Sequence, residues 1–164
     1  MDIPETVRRF KNGDDSAFEE LYLTTVRYVY SVVYFYLLSK EDAEDVVQST
    51  YLKLYTLRRK LDAEKPILAY MKRIAINYAF KSMKKRRAPK IPEHAEGDPE
   101  IGETVQEALE KLEPKDRLVV TLFYMDNSSI KEICTLTGEK EGTIKSRLAR
   151  SRDKLKEMIS NERV

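Results

Sequence analysis

A chain of 164 residues that is 35% charged, has no Trp and only five Gly is long enough for one domain or two small ones. Its single Cys and single His leave no intramolecular disulfide and no Cys-based zinc site, and no metal or cofactor is implied. The net charge of +2 hides an uneven distribution. Cations cluster at Lys81, Lys84, Lys85, Arg86, Arg87 and Lys90 and again from Lys140 to Lys156, with acids between them at Glu93, Glu96, Asp98, Glu100, Glu103, Glu107 and Glu110, a pattern that points to nucleic acid better than the overall charge does.

No stretch of useful length alternates as a strand would, so the chain reads as all-α. Residues 1–12 form a short amphipathic lead-in with Ile3, Val7 and Phe10 on one side. Gly13-Asp14-Asp15 breaks and restarts the helix, with Asp14 or Asp15 as N-cap. Phe18, Leu21, Tyr22, Val26, Val29, Val33 and Leu37 then recur at helical spacing, and the density of aromatics assigns the tyrosines to the core. The most apolar run, Tyr28 to Leu38, lies between Arg27 and Lys40 and is shorter than the roughly 18 residues a bilayer demands. With no signal-peptide pattern at the start, a soluble cytoplasmic protein is the expectation.

Ser39 and Asp42 open the next helix, DAEDVVQSTYLKLYTL, whose inner face is Ala43, Val46, Val47, Thr50, Tyr51 and Leu54. Asp42, Glu44, Asp45, Gln48 and Ser49 are left outside, and an acidic, amide-bearing patch beside basic surfaces suggests a protein partner. Favourable interaction with the helix dipole accounts for Asp42 and Glu44 equally well but does less for Gln48. Pro66 places a loop over Thr56 to Pro66, and helix resumes from about Ile67 to Arg87. There Tyr70, Arg73, Asn77, Lys81 and Lys84 line one stripe while Met71, Ile74, Ala75 and Tyr78 pack beside it. An aromatic, an amide and cations on one face suit stacking on unpaired bases and holding phosphates; a half-buried Tyr70 with merely solvated cations is the plainer reading.

Residues 88–102, APKIPEHAEGDPEIG, hold three prolines and several acids with little to bury, and read as a flexible linker in which His94 is solvated. The boundaries are therefore a first domain at 1–87, the linker at 88–102 and a second domain at 103–164. Val105, Leu109 and Leu112 open that domain, and Pro114 fits the first turn of a helix carrying Leu118, Val119, Leu122 and Phe123. Ser129 and Glu132 make a capping box for a helix with Ile130, Ile133 and Leu136 on its apolar face and Cys134 as a small core residue, and Gly138 ends it. In the last helix Ile144, Leu148, Leu155 and Ile159 face inward, while Lys145, Ser146, Ala149 and Arg150 face outward. Two helices joined by a tight Gly-containing turn, the second presenting cations, form the helix-turn-helix layout for a major groove; an amphipathic hairpin with a solvated basic face is the alternative.

In this order the parts resemble the extracytoplasmic-function (ECF) sigma factors of the sigma-70 family of bacterial RNA polymerase subunits. The motifs are GDDSAFEELY at 13–22, DAEDVVQSTYLKLY at 42–55, ILAYMKRIAINYAFKSMKKRR at 67–87, LEPKDRLVVTLFYMDNSSIKEI at 112–133 and EGTIKSRLARSRDKL at 141–155. The resemblance implies a region 2-like bundle and a region 4-like helix-turn-helix domain. It implies docking on the β′ clamp helices of core RNA polymerase through the helix of Asp42, Asp45, Gln48 and Ser49, with the β flap as a further contact. It implies reading of the upstream promoter element as duplex through Lys145, Ser146, Arg147, Ala149 and Arg150. Capture of the melted downstream strand falls to the loop at Lys60–Pro66 and to Tyr70, Arg73, Asn77, Lys81 and Lys84. An anti-sigma protein is a further implied partner, and no chemistry is done by such a subunit. Tyr70 stands where the family usually has Trp, Lys81 where Asp is common, Glu139 and Lys140 where an apolar residue and Ser are usual, and Ala149 where a bulkier side chain is frequent. Two rivals are a free-standing helix-turn-helix regulator independent of polymerase and a bundle that sequesters a polymerase subunit. An enzyme is disfavoured, since neither an activated nucleophile nor a phosphate-binding Gly loop is present.

Overall fold

The computed structural model describes residues 1–86 and 103–162, and all the regular structure among them is helical. The linker read at 88–102, with His94, lies outside the described residues. The chain divides into two compact units, one of Met1–Val33 with Glu41–Arg87 and one of Tyr34–Lys40 with Ala88–Val164.

The first unit is built from α1 (Ile3–Lys11), most of α2 (Asp15–Leu37), α3 (Lys40–Thr56) and α4 (Ile67–Lys85). Asp2 caps α1 by accepting from the Glu5 N–H at 3.2 Å, and the helix buries Thr6, Val7 and Phe10. Gly13, at φ 95°, makes the sharp turn that no side chain adopts comfortably. Asp14 then caps α2, its Oδ1 accepting from the Ser16 N–H at 2.9 Å. Arg9 grips the same carboxylate at 2.8 Å, and hydrogen bonds, that from the Ser16 hydroxyl at 2.6 Å foremost and that from Arg9 next, hold Asp14 below the usual carboxylate range.

An aromatic cluster is the centre of this unit. Phe10 stacks on Phe18 with centroids 5.3 Å apart, Phe18 meets Tyr55 edge-on at 5.3 Å, and Tyr22 meets Tyr51 edge-on at 4.9 Å. The Tyr51 hydroxyl lies 2.6 Å from that of Thr25, and burial pushes its pKa up to about 12. The inner face of α3 is the one its periodicity predicts, with Ala43, Val46, Val47, Thr50, Tyr51 and Leu54 all buried, each large apolar side chain contributing about 1.5–3 kcal/mol. Not every tyrosine is core: Tyr22 is 39% exposed, and Tyr28 and Tyr30 are half-buried. An aromatic ring long enough to reach the cluster from the edge of α2 keeps one side wet. Between α3 and α4 the predicted loop contains a single 3-10 turn, Arg58–Lys60.

The second unit comprises the end of α2 with α5 (Glu103–Glu110), α6 (Pro114–Val120), α7 (Ile130–Thr137) and α8 (Glu141–Glu162). Pro114 occupies the first turn of α6, where its missing N–H costs nothing. The helix continues into a π-helical turn, Thr121–Met125, closed by the Asp126 N–H donating to the Thr121 carbonyl at 3.2 Å. Leu118, Val119, Leu122, Ile133, Ile144 and Leu148 are the buried core, and α5, α6 and α7 all pack on α8. Leu38 ends α2 at φ 51°, its N–H donating to the Tyr34 carbonyl at 2.7 Å. The buried Arg117 guanidinium donates to the Tyr36 carbonyl at 2.5 and 3.1 Å and to the Leu112 carbonyl at 3.0 Å.

Candidate nucleic-acid interface

The capping box that opens α7 is complete. Ser129 Oγ accepts from the Glu132 N–H at 3.1 Å, and Glu132 Oε2 accepts from the Ser129 N–H at 3.4 Å. Gly138 ends the helix at φ 74° and its N–H donates to the Cys134 carbonyl at 2.9 Å. This left-handed residue sets the turn into α8, and any side chain here would be strained. Cys134 is only half-buried, because so short a helix buries Ile133 alone completely.

Along α8 the inward side carries Ile144 and Leu148, both buried, whereas Leu155 and Ile159 are half-covered because the inner face is less packed towards its end. Lys145, Ser146, Ala149 and Arg150 are exposed, on the face the helical spacing predicts. Lys145 forms an i,i+4 ion pair with Glu141 at 2.8 Å. Arg147 points elsewhere. Its Nη1 donates to Asp116 Oδ1 at 2.8 Å, while Nε and Nη2 donate to the Glu139 carboxylate at 2.9 and 3.1 Å. These hydrogen bonds, that to Glu139 foremost, raise its pKa further. Arg150 reaches the same Asp116 oxygen at 3.3 Å while its side chain stays 53% exposed.

The carboxylate beneath them is buried, with Asp116 only 1% exposed. Nothing in the periodicity of α6 singles out Asp116, since an acid in the first turn of a helix is expected for the dipole alone. Its role is visible only because the fold sets α6 against α8. Glu139 likewise fills the place of the residue usual in such turns and supplies an ion pair instead.

In the first unit, Tyr70, Arg73, Asn77, Lys81 and Lys84 form a continuous exposed stripe on α4, opposite buried Met71, Ala75, Ile76 and Ala79. Among the described residues no ion pair engages its cations, and Lys81 Nζ lies 5.4 Å from the Tyr78 ring centroid. Lys60 is exposed in the 3-10 turn ahead of it. The segment that follows is shaped by Asp62, whose Oδ1 accepts from the Glu64 N–H at 3.0 Å, and Glu64 is tied to Arg8 of α1 at 2.6 Å.

The patch on α3 is divided. Asp45 and Gln48 are exposed and Ser49 is half-buried. Asp42 instead pairs with Arg86, which donates from Nη2 at 2.7 Å and Nε at 3.1 Å. Arg86, grouped with the cationic run by sequence, is therefore committed to the fold.

These surfaces coincide with two matches to family models. The model described as sigma-70 region 2 covers residues 21–88, spanning α3 and α4, and that described as sigma-70 region 4 covers residues 102–155, spanning the helix-turn-helix. This chain is an ECF member of the sigma-70 family. Similar sigma factors include the ECF RNA polymerase sigma factor SigW of Bacillus subtilis, 25% identical with 97% of each chain covered. The ECF RNA polymerase sigma-E factor of Salmonella typhimurium is 27% identical, covering 90% of this chain and 88% of that one. In fold, the sigma factor resembles CnrH, solved in complex with the cytosolic domain of CnrY, with a TM-score of 0.73 at 21% identity over 98% of this chain and 99% of that one. It also resembles the sigma factor RpoE of Bartonella quintana, solved with the anti-sigma factor NepR, with a TM-score of 0.69 at 21% identity over 87% of this chain and 96% of that one. The all-helical class and the pairing of a region 2-like with a region 4-like part, both expected from sequence, agree with these matches.

Proposed function

We propose that this sigma factor directs core RNA polymerase to specific promoters and initiates transcription there, with its surfaces divided by task. The region 4 part reads the upstream element as duplex, Lys145, Ser146, Ala149 and Arg150 facing the groove and Arg147 supporting them. The region 2 part captures the melted downstream strand, with Tyr70 stacking on a base, Asn77 bonding a base edge, and Lys60, Arg73, Lys81 and Lys84 holding phosphates. An extruded base recovers in such a site part of the stacking it lost, and strand opening is favoured accordingly. Asp45 and Gln48, flanked by Ser49, dock on the β′ clamp helices, and Asp42 acts by holding Arg86. In this reading residues 1–87 and 103–164 are the working domains, joined by 88–102.

The observation that carries the proposal is the coincidence of two family matches, in order, with two separately built cationic faces. A regulator independent of polymerase would leave the region 2 match without a task. The subunit contributes no catalytic step and works in the cytoplasm; among the described residues no helix is long and apolar enough to cross a membrane. An anti-sigma protein is a fitting partner, since the similar sigma factor RpoE was solved in complex with the anti-sigma factor NepR.

Transcription in vitro with core polymerase on a genomic fragment library tests the whole assignment. Discrete start sites that depend on the chain are expected. Asp45→Ala with Gln48→Ala lowers affinity for core polymerase about tenfold, the loss typical of interface residues that matter; unchanged affinity rejects the docking role of α3.

A further inference from the structure

Two of the carboxylates near α8 do something that neither duplex reading nor packing explains. Asp116 is 1% exposed, and its Oδ1 serves both Arg147 at 2.8 Å and Arg150 at 3.3 Å. Its second oxygen, Oδ2, is buried without a hydrogen-bond partner, as is Ser151 Oγ on the adjoining turn of α8. The helix dipole favours an acid in the first turn of α6, yet burying this carboxylate carries a desolvation cost that its ion pairs must offset. The second carboxylate, Glu139, sits in the turn before α8, grips Arg147 at 2.9 and 3.1 Å and also lies 3.7 Å from Lys115 of α6. Arg147 is thus clamped from the turn and from α6 together, and the helix it belongs to is fixed in rotation and in height. Arg150, one turn on, rests its guanidinium on the same buried oxygen while half its surface stays in solvent.

We propose that Asp116 and Glu139 are positioning residues for promoter recognition, which lock Arg147 as a strut and pre-orient Arg150 towards the base edges. The proposal deepens the duplex-reading role assigned to α8 and rests on it. A guanidinium held in advance loses less freedom when it binds a guanine edge in its two-pronged geometry. Neighbouring acids also oppose binding to phosphate in general, so they favour the sequence that rewards the fixed geometry over one that merely offers charge.

The sign of the effect separates positioning from a purely structural role. Replacing either acid by its amide removes a negative charge beside a DNA-facing helix, which strengthens binding to any duplex. Loss of positioning weakens binding to the right one. The test uses holoenzyme formed from the full chain and core polymerase. Its probes are an upstream duplex from a promoter that the wild type transcribes from the genomic library and a shuffled duplex of the same length and composition. Asp116→Asn is expected to lower the ratio of the two affinities about tenfold, the scale of one bidentate base contact, and Glu139→Gln to lower it less. The salt dependence on the shuffled duplex is expected to steepen by about one phosphate contact as Arg147 is released. A fold defect alone lowers both affinities together and leaves the ratio unchanged. Should Asp116→Asn fail to fold by circular dichroism, Glu139→Gln, at a less buried position, decides the matter alone. Ratios kept within about twofold in the folded variants, while Arg150→Ala loses discrimination, overturn the positioning role. If Arg150→Ala and Lys145→Ala also bind both duplexes as the wild type does, the duplex-reading assignment falls and the positioning role with it.

Discussion

The cationic faces of α8 and α4 are built on opposite plans. On α8 Lys145 is paired with Glu141, Arg147 with Asp116 and Glu139, and Arg150 with Asp116. On α4 Arg73, Lys81 and Lys84 are exposed, and among the described residues no ion pair engages them. Duplex DNA is a stiff ligand whose grooves present donors and acceptors at set positions, so a reader gains from side chains arranged beforehand. A single strand is pliable and is held by stacking and phosphate attraction, which tolerate cations free to follow it. If α8 reads duplex and α4 holds single strand, as proposed, the difference follows the two physical forms in which the same promoter is met.

The comparison breaks first at Arg150. Arg150→Ala is expected to reduce affinity of holoenzyme for the upstream duplex about ten- to a hundredfold, on the scale of one base contact, with polymerase association unchanged. Gel-shift and pull-down assays on one preparation check both halves. On the pliable side, Tyr70→Ala is expected to cost about 1–3 kcal/mol of strand capture, seen as weaker open complexes by permanganate footprinting with upstream duplex binding intact. Tyr70→Trp is expected to retain opening, since stacking needs an aromatic face and not a particular ring. Equal losses of duplex binding in both Tyr70 variants would dissolve the division between the faces.

The smallest effect concerns the aromatic core under the first unit. Burial raises the Tyr51 pKa from 10.0 to about 12, so the unfolded chain ionises first as pH rises. Its contribution to stability is complete below pH 10 and declines as pH climbs towards 12. Tyr51→Phe, which gives up only the hydroxyl contact with Thr25, is expected to cost about 1 kcal/mol at neutral pH and to flatten the alkaline loss in thermal melts.

How much of this was legible beforehand differs by kind of feature. The inner face of α3, the exposed stripe of α4 and the Ser129 capping box follow from spacing of 3.6 residues per turn and from hydroxyl and carboxylate groups three residues apart, so each could be read within a dozen residues. The end of α2 could not. A leucine gives no hint that it will adopt φ 51°, because only the surrounding packing makes a left-handed Leu38 tolerable. Nor could the fate of Arg147 be read, since its spacing on α8 is that of a reader and its partners lie on another helix and in the turn.

Local pattern thus determined the helices, their buried faces, the cap and turn of the helix-turn-helix, and the resemblance that names the family. Tertiary structure alone decided which charges are spent on the fold and which remain for a ligand. Asp116 meets Arg147 across 31 positions of sequence and Arg150 across 34, and Asp42 meets Arg86 across 44. Periodicity reports which way a side chain leaves its own helix; it carries no information on what another helix places there.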